Sequence, residues 1–248
     1  MRFSRFTGFR FAQQFSVYSF PNFAGIHFAQ QFSVKETHMS PRILQVLNII
    51  GLIGVITVNY LANALPIGGR TTGELSAFYP NLFVPAGITF AIWGVIYLAL
   101  IGFIIYQAKG LFGSKTGPGA LQRIGIWFFV SCLGNAGWII AWHNLQIELS
   151  LLIMLVILGS LIVIYNRQVK RVPDSTADRW LAQFPFQLYL GWISVATIAN
   201  ATALLVSYKV DFGIEVNQYL AAGLVLIAAG FGIAFLNRQK DWAYAAVI

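Results

Sequence analysis

Apolar and polar residues fall along this chain in long alternating blocks. Six apolar blocks reach the roughly 20 residues that a helix needs to cross a hydrocarbon core about 30 Å thick. They lie near Ile43–Leu65, Pro85–Gln107, Leu121–Trp142, Leu149–Asn166, Trp180–Ser207 and Val216–Asn237. The fifth is longer than a crossing requires, and Gln183, Pro185 and Gln187 predict an interfacial turn at its start. Within the blocks, rings and amides recur at helical spacing. Phe90, Trp93 and Tyr97 share one face of the second block, and Asn135, Trp138 and Trp142 one face of the third. Tyr189, Trp192, Ala196 and Asn200 share one face of the fifth.

Composition agrees with the blocks. The chain is 58% hydrophobic and 10% charged, against about 25% charged in a soluble domain. A soluble core cannot absorb that much apolar surface, so the class is an all-α integral membrane protein in contact with membrane lipid. The net charge of +8 does not point to nucleic acid here, because the basic residues sit between the apolar blocks. Fourteen of the sixteen Lys and Arg fall on the side shared by both termini and the second and fourth loops, and two (Arg70, Lys209) on the other. That alternation is what the positive-inside rule gives for six spans with both ends cytoplasmic, and the expected location is a bacterial plasma membrane.

Both ends depart from the pattern. Residues 1–38 are rich in Phe, Arg, Ser and Gln, and "FAQQFSV" occurs at 11–17 and again at 28–34. A transit-like leader, an amphipathic surface segment and a misplaced start are three readings; Met39 before "SPRILQVLNII" favours the last and predicts disorder upstream. At the other end, "DWAYAAVI" opens an apolar run that stops after eight residues, like the start of a seventh span. The expected organisation is a leader over 1–38, a five-helix membrane domain over 39–207 and an additional span and tail over 208–248.

Chemistry within the spans is sparse. No acid, Lys or Arg lies well inside one, whereas ion relays use such groups. His27, His38 and His143 are scattered and make no metal framework. Cys132 is alone and buried in an apolar run. No motif calls for a cofactor, and no catalytic residues are assigned. The loop "LPIGGRTTGELSAFYPNLFVP", 65–85, lacks the Gly-Lys-Ser/Thr of a phosphate loop; it reads as a connector or as a lid over a pocket. Trp142, at a span end, reads as an interfacial belt residue. Asn135 and Asn200 lie deeper, where an amide without a hydrogen bond costs several kcal/mol. They are expected to face other helices, either as interhelical bonds or as the orienting groups of a cavity floored by rings. Gly87, Gly94, Gly134 and Gly137 permit close helix approach in either case.

Three motifs resemble the TspO/MBR family, the tryptophan-rich sensory or translocator proteins. Pro85 followed by Trp93, Gly94 and Tyr97 resembles the family's second-helix Pro–Trp-Gly-x-x-Tyr. Asn135 and Trp138 in "GNAGWIIAW" resemble the Asn-x-x-Trp of the third helix. Trp192, Ala196 and Asn200 in "WISVATIAN" resemble the fifth-helix pattern. The resemblance implies a five-helix bundle with a hydrophobic pocket below the first loop, in a family whose relatives bind tetrapyrroles, sterols and planar drug-like molecules. Gly87 and Ala91 stand where the family often has Trp and Pro, and Ile139 and Ile140 where prolines usually follow the third-helix Trp. A sixth span would make this an extended branch.

The reading is a membrane-embedded binder of a hydrophobic planar molecule, porphyrin- or sterol-like, acting in sensing or transport. Its site is expected to comprise Phe90, Trp93, Tyr97, Asn135, Trp138, Tyr189, Trp192 and Asn200. A facilitative permease, a structural or partner-binding membrane protein without ligand, and a tetrapyrrole-degrading enzyme are the alternatives. A homodimer is compatible with all of them.

Overall fold

The computed structural model describes residues 39–65, 69–81, 86–112, 118–210, 213, 219, 222–226, 229–230, 232–233 and 242–245. The leader 1–38, Pro85 and most of the expected sixth span, Val216–Asn237, lie outside the described residues.

The first two helices begin at capping side chains. The first, α1 (Pro41–Ala64), starts behind Ser40, whose side chain accepts from the Ile43 backbone N–H, with a proline in the first turn. Such a cap contributes about 1 kcal/mol. In α2 (Thr72–Ser76) the cap is reciprocal: Thr71 accepts from Glu74 N–H, and the Glu74 carboxylate accepts from Thr71 N–H at 2.7 Å. A 3₁₀ stretch, Gly87–Ala91, leads into α3 (Ile92–Phe112).

The third expected span is not continuous. It divides into α4 (Gly119–Ile124) and α5 (Trp127–His143) at Gly125, whose φ of +58° suits glycine. Hydropathy does not register the break, because glycine barely interrupts an apolar run. At 17 residues, α5 is about 25 Å long. A tight turn through Leu145 (φ +57°) joins it to α6 (Ile147–Ile164).

Two π-helical turns follow, Tyr165–Val169 and Arg179–Gln183, flanking α7 (Thr176–Asp178). The second ends at Gln183, the first residue of the expected interfacial turn, while Pro185 and Gln187 lie in the helix that follows. Gln183 helps to hold it, donating to the carbonyls of Gln168 and Arg171. The chain then continues as α8 (Phe184–Ser207), and a short α9 (Trp242–Ala245) packs on α8, where Tyr244 Oη donates to Ser194 Oγ at 3.1 Å. All described elements are helical. Four segments are long and apolar enough to cross a membrane: Pro41–Ala64, Gly87–Lys109, Ile147–Val169 and Thr176–Ser207.

The helices touch closely where side chains are smallest. A Cβ on Gly51 of α1 would lie 2.9 Å from the Phe129 ring, and one on Gly134 of α5 would lie 2.7 Å from Ile157 of α6. Both are closer than carbon atoms pack, so α5 is wedged between α1 and α6 through glycine contacts. Phe103, Phe128 and Phe186 meet edge to face, with centroids 5.2–5.5 Å apart, and tie α3, α5 and α8 together.

Several side chains inside the bundle pair across helices, while Gln45 Oε1 and Asn48 Oδ1 stay buried without a hydrogen-bond partner. Asn48 Nδ2 donates to Gln107 Oε1 at 2.9 Å, and Gln45 Nε2 to the Gln107 carbonyl at 2.7 Å. Arg123 bonds Gln168 Oε1 and forms a 2.8 Å ion pair with Asp174; Gln168 in turn donates to the buried Asp178 at 2.9 Å. These knots answer the demand that buried polar groups find partners.

Candidate functional site

The site grows from the stripe at the start of α3. Trp93 is buried, stacks on Tyr97 at 5.5 Å and 19°, and presents its edge to Tyr189 and Trp192 of α8. Phe90, on the 3₁₀ stretch, meets Trp192 edge-on at 6.1 Å. On the other side, Trp138 and Trp142 of α5 stack at 5.7 Å and 19°. These rings border a partly open cavity of about 30 Å³. Phe90, Trp93, Trp138, Trp142 and Trp192 line it, with Ser76 of α2 and Ala196, Ala199 and Asn200 of α8 completing the wall.

The amides do not offer free groups to this space. Asn200 Oδ1 accepts from Trp138 Nε1 at 3.0 Å, and its Nδ2 donates to Ser150 Oγ at 3.0 Å. Asn135 lies behind the aromatic wall. Its Oδ1 accepts from Asn59 Nδ2 at 2.8 Å, and its Nδ2 donates to the Tyr189 hydroxyl at 3.0 Å. Among the described residues, the lining residue Trp192 carries a buried Nε1 that has no hydrogen-bond partner. Tyr97 Oη, behind Trp93, is likewise buried and unpaired.

Thus the eight expected residues fall into two layers. Phe90, Trp93, Trp138, Trp192 and Asn200 line the cavity; Tyr97, Asn135 and Tyr189 form a polar layer behind Trp93, joined by Asn59. Asn135 and Asn200 both turn inward, 0% and 2% exposed.

A family model described as TSPO-like protein matches residues 45–248. The chain belongs to the TSPO-like family. No curated protein and no solved structure matches it. Together with its four long apolar helices, membership makes this TSPO-like chain an integral membrane protein of a general ligand-binding or transport type.

Several lining residues of the TSPO-like chain escape a reading by spacing. Trp142 is a correction: it is 5% exposed and faces the cavity, rather than belonging to an interfacial belt. Its Nε1 donates to the Thr72 carbonyl at 3.3 Å, which draws the ring inward. Ser76 comes from the first loop and carries no signal of its own. Asn59 was open to the same reasoning as Asn135, since it too is an amide deep in an apolar run.

The roof is formed by residues 69–81, between α1 and α3. Thr72 Oγ1 lies 3.1 Å from His143 Nε2, and Tyr79 packs against Trp142 at 5.8 Å. Arg70 stands 4.2 Å over the Phe78 ring on the outer side. Hydrogen bonds from Thr71 hold the Glu74 carboxyl below its ordinary pKa, helped by nearby Arg70. Burial, and then the negative charge of Glu148, push the Tyr79 phenol up. Among the described residues, no group of three His, Cys, Asp or Glu side chains could hold a metal ion.

Proposed function

We propose that the chain is a membrane receptor for a flat hydrophobic molecule, porphyrin- or sterol-like, acting in sensing or transport. The carrying observation is the buried, unpaired Trp192 Nε1 on a residue that lines a cavity bordered by five aromatic rings. An indole N–H can only donate. Because Asn200 is bonded at both ends within the protein, the polar edge selected is an acceptor on the ligand, such as a carbonyl, carboxylate or ring nitrogen. Phe90, Trp93 and Trp138 would supply stacking worth about 0.5–1.5 kcal/mol per ring beyond burial. The polar layer of Tyr97, Asn135 and Tyr189 would hold Trp93 in place from behind.

The cavity exceeds the ~10–15 Å³ that one water needs. It falls far below the roughly 300–1,000 Å³ of small-molecule sites. A planar ligand therefore requires the walls to part, and the loop above the rings is the natural lid.

Tryptophan fluorescence quenching by protoporphyrin IX in nanodiscs tests the site. Trp93→Leu and Trp138→Leu should each weaken binding. Trp192→Phe should weaken protoporphyrin IX but leave pyrene, which has no acceptor, nearly unaffected. Parent-like binding of protoporphyrin IX by all three variants would place the pocket elsewhere. Flux of the labelled porphyrin into liposomes separates transport from sensing.

A further inference from the structure

We propose that Thr72 is the latch of this cavity, and that releasing this one residue frees the roof for a ligand to pass; the proposal rests on the pocket reading above. All three polar groups of Thr72 are held by the helices beneath it. Its backbone N–H donates to Asn63 Oδ1 of α1 at 3.4 Å, its carbonyl accepts from Trp142 Nε1 at 3.3 Å, and its hydroxyl meets His143 Nε2 at 3.1 Å. The residue is 3% exposed. Because Thr72 opens α2, its N–H has no intrahelical carbonyl to bond, so the tether to Asn63 takes nothing from the helix.

The latch acts on both the roof and a wall. Ser76, one turn along α2, lines the cavity, and so does Trp142, whose indole Thr72 holds. Trp142 stacks on Trp138, which is bonded to Asn200 of α8. Behind that wall, α5 and α6 touch through Gly134 and Ile157 with no space for a methyl group, so α5 itself has little room to shift toward α6. Three hydrogen bonds are a moderate restraint, each modest on its own. They suit a catch that opens and recloses.

The hydroxyl can donate to a neutral imidazole or accept from its N–H. Loss of the hydroxyl is therefore the clean perturbation. Hydrogen exchange of residues 72–78 in the full chain, in nanodiscs without ligand, reads the catch directly. Thr72→Val should exchange about tenfold faster there, the effect of losing one typical hydrogen bond. Thr72→Ser should behave as the parent, and His143→Leu should reproduce Thr72→Val from the other side. Stopped-flow quenching with protoporphyrin IX should then show association and dissociation both faster in Thr72→Val, with Kd changed less than twofold.

Unchanged exchange in both Thr72→Val and His143→Leu overturns the latch. So does faster exchange accompanied by parent-like association and dissociation rates. If the parent itself does not bind the porphyrin, the pocket reading falls, and the exchange result alone decides whether Thr72 holds the roof.

Discussion

Asn59 Nδ2 donates to Asn135 Oδ1 at 2.8 Å, so α1 and α5 meet amide to amide in the interior of the bundle. Asn135 passes the connection on to Tyr189 of α8. Interhelical bonds of this kind contribute roughly 0.6–2 kcal/mol, and removing one partner leaves the other buried and unsatisfied, at about 1–3 kcal/mol. Asn135→Leu should therefore lower thermal stability more than Asn59→Leu, because it strands groups on two helices. Thermal unfolding in detergent, followed by circular dichroism, checks the order. Equal effects would mean that the Asn135–Tyr189 bond carries no weight.

The wedge of α5 against α6 predicts intolerance of one methyl group. Gly134→Ala would place a Cβ 2.7 Å from Ile157 Cγ1, and overpacking of this kind costs about 1–3 kcal/mol. Combining it with Ile157→Ala, which removes the clashing Cγ1, should cost less than the sum of the two single changes. Unfolding midpoints of the two single variants and the double variant measure the coupling.

The reciprocal cap on α2 gives the roof a pH dependence. The Glu74 carboxyl is held below the ordinary value of 4.5 by its bonds to Thr71. A depressed carboxyl pKa means that its contribution is present above the unfolded value and lost as pH falls through the folded one. Exchange protection of α2 should therefore be steady at neutral pH and drop below about pH 4.5. Glu74→Gln keeps the capping geometry without the titration, so its protection should not fall in that window. Corrected amide exchange rates between pH 3 and pH 7 provide the comparison.

Leu145 offers a stabilising change. It holds φ at +57° in the turn between α5 and α6, a conformation in which Cβ crowds the following carbonyl oxygen at roughly 1–2 kcal/mol. Asparagine tolerates it. Leu145→Asn should raise the unfolding midpoint by a few degrees, as read by a thermal melt.

Much of the bundle was legible because lipid imposes a simple rule on helices: they must be long and apolar. The spans beginning near Ile43, Leu149 and Trp180 show as blocks for that reason. Gly125 was invisible because a break in backbone direction changes no hydropathy. The inward turn of Asn135 and Asn200 followed from the energetics of an amide in hydrocarbon. The same energetics applied to Gln45, Asn48 and Asn59, and carrying it through α1 would have found their partners. Trp142 was misplaced because position along a span says nothing about a bond to Thr72, nine residues beyond Asn63 in the preceding loop. The size of the cavity depends on how five rings interlock, and spacing alone contains no such information.

Phe90 sits on the 3₁₀ stretch Gly87–Ala91 rather than on α3 proper, and no residue of that stretch is buried. A 3₁₀ turn advances about 120° and 2.0 Å per residue, against about 100° and 1.5 Å in an α-helix. Each residue passed from one winding to the other thus rotates everything before it by about 20° and draws it in by about 0.5 Å. Phe90 stands one residue from the end of the stretch, so rewinding Ala91 alone would turn its ring by about 20° relative to Trp192, 6.1 Å away.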